Sequence, residues 1–166
     1  RNASGSSTSR TFMQAVTGPA TSGRGKASSP IALETRAGQS ARLWVVNPDN
    51  DSVSVFDTVQ SSKVAEINVG TAPRSLSIAP DGRVWVTNKQ AATLSVISPT
   101  SLTVAQTIAL PRASQPYGVL HAADGTAYVA LGALGRLQEI SATGVLARSV
   151  DVGANPRGLS LTPAGD

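Results

Sequence analysis

The chain has 166 residues, no cysteine and a formal net charge of +4, a length that fits one ordinary domain. Lack of cysteine excludes disulfides, Cys-ligated zinc, iron–sulfur centres, thiol catalysis and c-type haem attachment within these residues. No apolar run approaches the roughly 18–20 residues of a membrane helix.

The charge is unevenly placed. Residues 1–42 carry six Lys/Arg against Glu34 alone, whereas residues 43–166 carry eight Lys/Arg against nine acids. The basic character therefore belongs to the leader. The near-neutral body lacks the Lys/Arg clusters interleaved with aromatics that a nucleic-acid groove requires, so nucleic acid is not its expected partner.

Residues 1–29 read as a Ser/Thr/Gly-rich basic leader or linker, with little apolar material to bury. Phe12, Met13 and Val16 are the exception and suggest a short strand or the tail of an upstream domain. Asn2-Ala3-Ser4 and Asn50-Asp51-Ser52 match the glycosylation sequon, a common chance tripeptide. The chain begins without Met and shows no charged-then-apolar signal segment, so a processed or clipped piece is expected.

From residue 30 onward the chain repeats. Trp44-Val45-Val46-Asn47 recurs as Trp85-Val86-Thr87-Asn88 and, more loosely, as Tyr128-Val129-Ala130-Leu131, at spacings of 41 and 43. Gly70-Thr71-Ala72-Pro73-Arg74 recurs as Gly153-Ala154-Asn155-Pro156-Arg157, with a middle copy ending Gln115-Pro116-Tyr117. Nine residues after these prolines stand Gly82, Gly125 and Gly165. The boundaries read from this pattern are a partial unit at 30–42 and whole units at 43–83, 84–126 and 127–166. Strands are predicted at 74–78, 83–87, 93–97 and 104–109 in the best-formed unit. Apolar and small polar residues alternate there, and β-branched types dominate. Asp81-Gly82 and Asp124-Gly125 are tight-hairpin signals.

Four antiparallel strands in about 41–43 residues is the period of a β-propeller blade. The expected fold is all-β, an open propeller of three blades plus a partial one. Trp44, Trp85 and Tyr128 are expected at equivalent sites, each buried between blades. Further Gly-x-x-Pro units are expected beyond Asp166, and the open arc is expected to self-associate through its uncovered end faces.

Trp85-Val86-Thr87-Asn88, Val53-Ser54-Val55-Phe56-Asp57, Leu94-Ser95-Val96-Ile97 and the Gly-x-x-Pro-Arg junction resemble the YVTN β-propeller repeat family over residues 30–166. The third copy departs from the pattern, with Leu131 in place of Asn and Gly132-Ala133-Leu134-Gly135 in place of the polar loop. The resemblance implies a periplasmic, secreted or cell-surface protein of bacterial or archaeal type with about seven blades. It leaves function open among binding modules, propeller domains of redox enzymes with a haem domain elsewhere, and lactonase-like hydrolases.

Candidate sites are few. His121, the lone histidine, aligns with Ile78 and Leu161 at inward positions, as a packed side chain or as a metal or haem ligand near the axis. No Ser/His/Asp arrangement is legible, and no catalytic residue or cofactor is assigned. Asp49 and Asp51 are a calcium candidate, although the EF-hand spacing fails at Ser52 and Thr58. Arg74, Tyr117 and Arg157 each follow a junction proline, so successive blades place them around one rim. There they either brace neighbouring blades or meet a ligand, with Arg suited to carboxylate or phosphate. Asn47, Asn88, Pro73, Pro116 and Pro156 complete the structural anchors. The reading is a module that binds an unknown ligand or protein.

Overall fold

The computed structural model describes residues 27–162. The Phe12–Val16 stretch, the Asn2 sequon and Gly165 lie outside the described residues.

Twelve strands form among the described residues, with no helix. The first sheet holds β1 (Ile31–Glu34), β2 (Arg42–Asn47), β3 (Ser52–Asp57) and β4 (Ser62–Asn68). The second holds β5 (Pro73–Ile78), β6 (Val84–Asn88), β7 (Thr93–Ser98) and β8 (Thr103–Ala109). The third holds β9 (Pro116–His121), β10 (Ala127–Leu131), β11 (Arg136–Ile140) and β12 (Leu146–Asp151). Each sheet is a four-stranded antiparallel meander in chain order. The sequence boundaries near 43, 84 and 127 fall where the second strand of each sheet begins. The stretch read as a partial unit supplies β1, which pairs with β2 from Ile31↔Val45 to Glu34↔Arg42.

The repeat extends to local irregularities. The pairing of third with fourth strand slips at Val55/Phe56, Val96/Ile97 and Glu139/Ile140. Asp51, Ala92 and Gly135 hold positive φ in the equivalent turns between second and third strands. Gly82 and Gly125 hold φ of 86° and 89° in the hairpins between first and second strands, a conformation that Gly adopts without Cβ strain.

Alternation along the strands gives each sheet two apolar faces, and stacking covers them. One core fills the gap between the first and second sheets with Trp44, Val46, Val53, Val55, Leu76, Val84, Val86 and Ile97. A second core fills the gap between the second and third sheets with Trp85, Leu94, Val96, Ile108, Val119, Val129, Leu131 and Ile140. The middle sheet is thus covered on both sides, and all five residues of β6 are buried.

Trp44 and Trp85 occupy equivalent registers, opposite Val55 and Val96, and both are fully buried. Tyr128 holds the same register, opposite Glu139, but it is only half-buried. This corrects the expectation of equal burial. The aromatic of each sheet is covered by the next sheet, and among the described residues no fourth sheet lies over Tyr128. At the other end of the arc, Ile31 and Leu33 are 46% and 54% exposed.

Small polar residues stitch the inner strands together. Thr87 Oγ1 donates to the Tyr117 carbonyl at 2.6 Å, and His121 Nδ1 lies 3.0 Å from Ser77 Oγ. Residues 27–29, placed with the leader in the sequence reading, take part in this inner layer. Ala27 bridges to Ser160 and Ser29 to Leu76, and Ser28 N donates to the Leu159 carbonyl at 2.9 Å.

Burial predicts graded costs. Trp85→Ala should lose about 3–5 kcal/mol of stability, as deletion of a fully buried aromatic does, whereas Tyr128→Ala should lose clearly less. Urea unfolding of the two variants checks this, and equal losses would contradict it.

Candidate functional site

One end of every sheet carries the turn between second and third strands together with the junction to the next sheet. Asn47 and Asn88 close second strands at this end. Asn47 Nδ2 donates to Ser52 Oγ at 3.1 Å and Ser54 Oγ at 2.8 Å, and Asn88 Nδ2 donates to Thr93 Oγ1 at 3.0 Å and Ser95 Oγ at 2.9 Å. Each Asn therefore pins the strand that follows its turn. Gly70 packs on this brace, because a Cβ there would sit 2.7 Å from Asn88 Nδ2. The glycine of the Gly-x-x-Pro junction thus leaves room for the Asn of the next blade.

Asp51 spends its carboxylate in the same way, with Oδ1 accepting from Ala72 N at 2.7 Å. Asp49 is exposed on the turn. Among the described residues no group of three or more His, Asp or Glu side chains could hold a metal ion. Glu66 ties the loop from below, accepting from Ser52 Oγ at 2.8 Å and Lys63 Nζ at 2.6 Å. Those bonds hold its carboxyl down at about 2, with Lys63 the largest cause.

The junctions also carry backbone strain that the sequence reading missed. Ala72, Gln115 and Asn155 precede Pro73, Pro116 and Pro156, and hold φ of 55°, 50° and 55°. Left-handed backbone is unfavourable for L-residues with a side chain, and Ser61 and Leu102 hold it too in the turns between third and fourth strands. Only Asn155 belongs to a type that tolerates this region well, so residue type gave no signal at Ala72 or Gln115. Pro73 and Pro116 are buried and start the inner strands, while Pro156 is half-buried.

The three rim residues follow. Arg74 stands second on β5 and Tyr117 second on β9. Arg157 follows on a segment beside β9, where its carbonyl would meet any Cβ added at Gly118. The Arg157 guanidinium carbon lies 5.3 Å from the centre of the Tyr117 ring, within the range of cation–π attraction. Arg74 is half-buried, and its Nε is buried with no acceptor among the described residues. Ion pairs form at Lys63–Glu66, Arg83–Asp81 and Arg148–Glu139, so neither rim arginine is neutralised by a described acid. Arg157 and Tyr117 are brought together, and Arg74 stands at the equivalent register one blade away.

His121 belongs elsewhere. It is buried in the gap between the second and third sheets, edge-on to Trp85 with ring centres 5.0 Å apart. It acts there as a packing residue hydrogen-bonded to Ser77.

No protein-family model matches the chain, and no curated protein matches it. Solved structures do. Hydrazine synthase of Kuenenia stuttgartiensis is 22% identical with a TM-score of 0.70, over 93% of this chain and 44% of that one. Virginiamycin B lyase of Staphylococcus aureus is 18% identical with a TM-score of 0.63, over 78% of this chain and 43% of that one. Dihydro-heme d1 dehydrogenase NirN in complex with DHE is 16% identical with a TM-score of 0.65, over 79% of this chain and 29% of that one. The chain thus spans less than half the length of each of these. At such identities the likeness defines the fold alone. The described residues form an open arc of three β-propeller blades, and among them there is no helix long and apolar enough to cross a membrane.

Gly70→Ala should cost about 1–3 kcal/mol, the range for overpacking, because the new methyl displaces the Asn88 brace. Gly158, with nothing near its Cβ position, should tolerate Ala with almost no loss. Thermal unfolding of both variants checks the contrast.

Proposed function

We propose that this chain is an extracytoplasmic β-propeller module of the YVTN type that binds an anionic ligand, or an acidic segment of a protein, on its junction rim. The observation that carries the reading is the rim itself. Arg157 is stacked on Tyr117 while its guanidinium edge stays outside any described ion pair. Arg74 holds the position equivalent to Tyr117 on the inner strand of the preceding blade, with a buried Nε that lacks an acceptor. A guanidinium offers a planar fork of donors that matches carboxylate or phosphate oxygens. Two such forks on one rim, on a backbone held in strained turns, suit a ligand with two acidic groups.

A second reading is a propeller domain serving a redox enzyme whose reactive centre lies in another domain. It is supported by the likeness to hydrazine synthase and to a dihydro-heme d1 dehydrogenase, which is an argument from fold alone. Under this reading the rim arginines would meet the partner domain or a cofactor carboxylate. A lactonase-like reaction draws no support from the rim, where acids and His121 are not gathered.

Calorimetric titration with citrate and with inorganic phosphate tests the first reading. The wild-type chain should bind citrate, and Arg74→Ala or Arg157→Ala should weaken binding at least about tenfold, equivalent to about 1.4 kcal/mol. Arg148→Ala, which removes an exposed arginine paired to Glu139, should leave it unchanged. Equal citrate affinity in all four proteins would overturn the rim assignment.

A further inference from the structure

Charge in the second and third sheets is sorted by end. Of the four acids from Pro73 to Asp151, Asp81 and Asp124 stand in the hairpins opposite the junction end. Glu139 lies toward that same far end of β11 and is paired with Arg148. Asp151 reaches the junction end, where its Oδ1 accepts from Gly153 N at 3.0 Å. Arg74, Lys89, Arg112, Arg136 and Arg157 all stand at the junction end, and none of them is in an ion pair with a described acid. Arg136 lies opposite Asp151 in the pairing of β11 with β12, which leaves the other four without a facing acid. A body that is near neutral in sum is thus positive at one end of two sheets.

The backbone fixes where these cations stand. Pairing of β5 with β6 slips between Pro73 and Ser75, which leaves Arg74 out of the ladder. Pairing of β9 with β10 slips in the same way and leaves out Tyr117, the ring beneath Arg157. Such bulges re-aim a side chain that strand alternation would otherwise direct. The Arg74 Nε is buried while its Nη groups are not, so the outer edge of the fork meets solvent. Lys89 opens the turn after β6, and its N donates to the Ala72 carbonyl at 3.0 Å, two residues before Arg74. Arg112 is exposed on the junction after β8, in a turn that Ser114 N closes on the Pro111 carbonyl at 3.0 Å. That junction meets the one carrying Arg157 at Gly132, where an added Cβ would touch the Gln115 carbonyl and Asn155 Oδ1.

Resting on the rim reading above, we propose that the partner is an acidic protein segment, an extended chain whose carboxylates run along the rim from Arg74 and Lys89 to Arg112 and Arg157. A small dianion engages two guanidinium groups. Four cations on separate loops of two blades call for several anionic groups on one flexible backbone. Single-stranded nucleic acid has that charge, but it also needs open aromatic faces on which its bases stack. Tyr117 is the only aromatic at this end among the described residues, and Arg157 lies over its ring.

Fluorescence anisotropy of a labelled oligoglutamate peptide, titrated with the whole chain, tests this. Lys89→Ala and Arg112→Ala should each weaken peptide binding about two- to fivefold, the scale of one exposed charge pair, and should leave citrate affinity unchanged. Arg74→Ala and Arg157→Ala should weaken both ligands. If Lys89→Ala and Arg112→Ala bind the peptide as the wild type does, while Arg74→Ala and Arg157→Ala lose citrate, the acidic-segment proposal falls and the rim reading stands. If none of the four variants alters either ligand, both fall. Oligothymidylate of equal charge should bind more weakly than the peptide, and equal or tighter binding would overturn the proposal in favour of nucleic acid. Arg1, Arg10, Arg24 and Lys26 also attract polyanions. Peptide binding that is lost on replacing those four, and not on replacing the rim cations, would overturn it as well.

Discussion

A four-stranded sheet with apolar residues on both faces cannot be stable by itself, and the rest of this structure follows from that constraint. Burial of apolar area is the main favourable term in folding, and here it is gained almost wholly between sheets. Trp44 is covered by the second sheet and Trp85 by the third, and both reach full burial. Tyr128, at the same register of the third sheet, does not. Sequence at the three positions is closely similar, so the difference in environment comes from the neighbour. Each blade lends its aromatic to the blade that follows.

The same dependence explains where polar groups lie. Ser75, Ser77 and Thr87 are buried and yet useful, because inner strands run close enough near the axis for a hydroxyl to reach the next blade. Arg42 and Arg83 span the opposite end of the gaps with their guanidinium groups. These bonds cross between sheets and set how one blade sits on the next, which apolar contact alone does not specify. The junction rim is then rigid at its base, since Asn88, Gly70 and Asp51 interlock turn with junction. On that base stand Arg74, second on β5, and Arg157, neither of them in an ion pair with a described acid.

Much of this was legible in the sequence because the repeat is strict. Alternation and the Trp, Pro and Gly offsets define the strands and the rim register, and the alignment of His121 with Ile78 points to its packed position. Three features were not legible. The arginine spans connect residues 57 and 59 positions apart, and no local pattern announces such a partner. The left-handed residues before the junction prolines include Ala72 and Gln115, types that carry no turn signal. Residues 27–29 read as linker by composition, yet their backbone bonds tie them to the inner layer.

Native-state amide hydrogen exchange measures most directly whether coverage of both faces governs stability. Exchange resolves local opening free energies up to that of global unfolding. The account predicts the slowest exchange at Val84–Asn88 of β6, buried throughout in the doubly covered sheet. It predicts exchange faster by orders of magnitude at Leu146–Asp151 of β12, an exposed outer strand throughout. Equal protection of these two strands would contradict it.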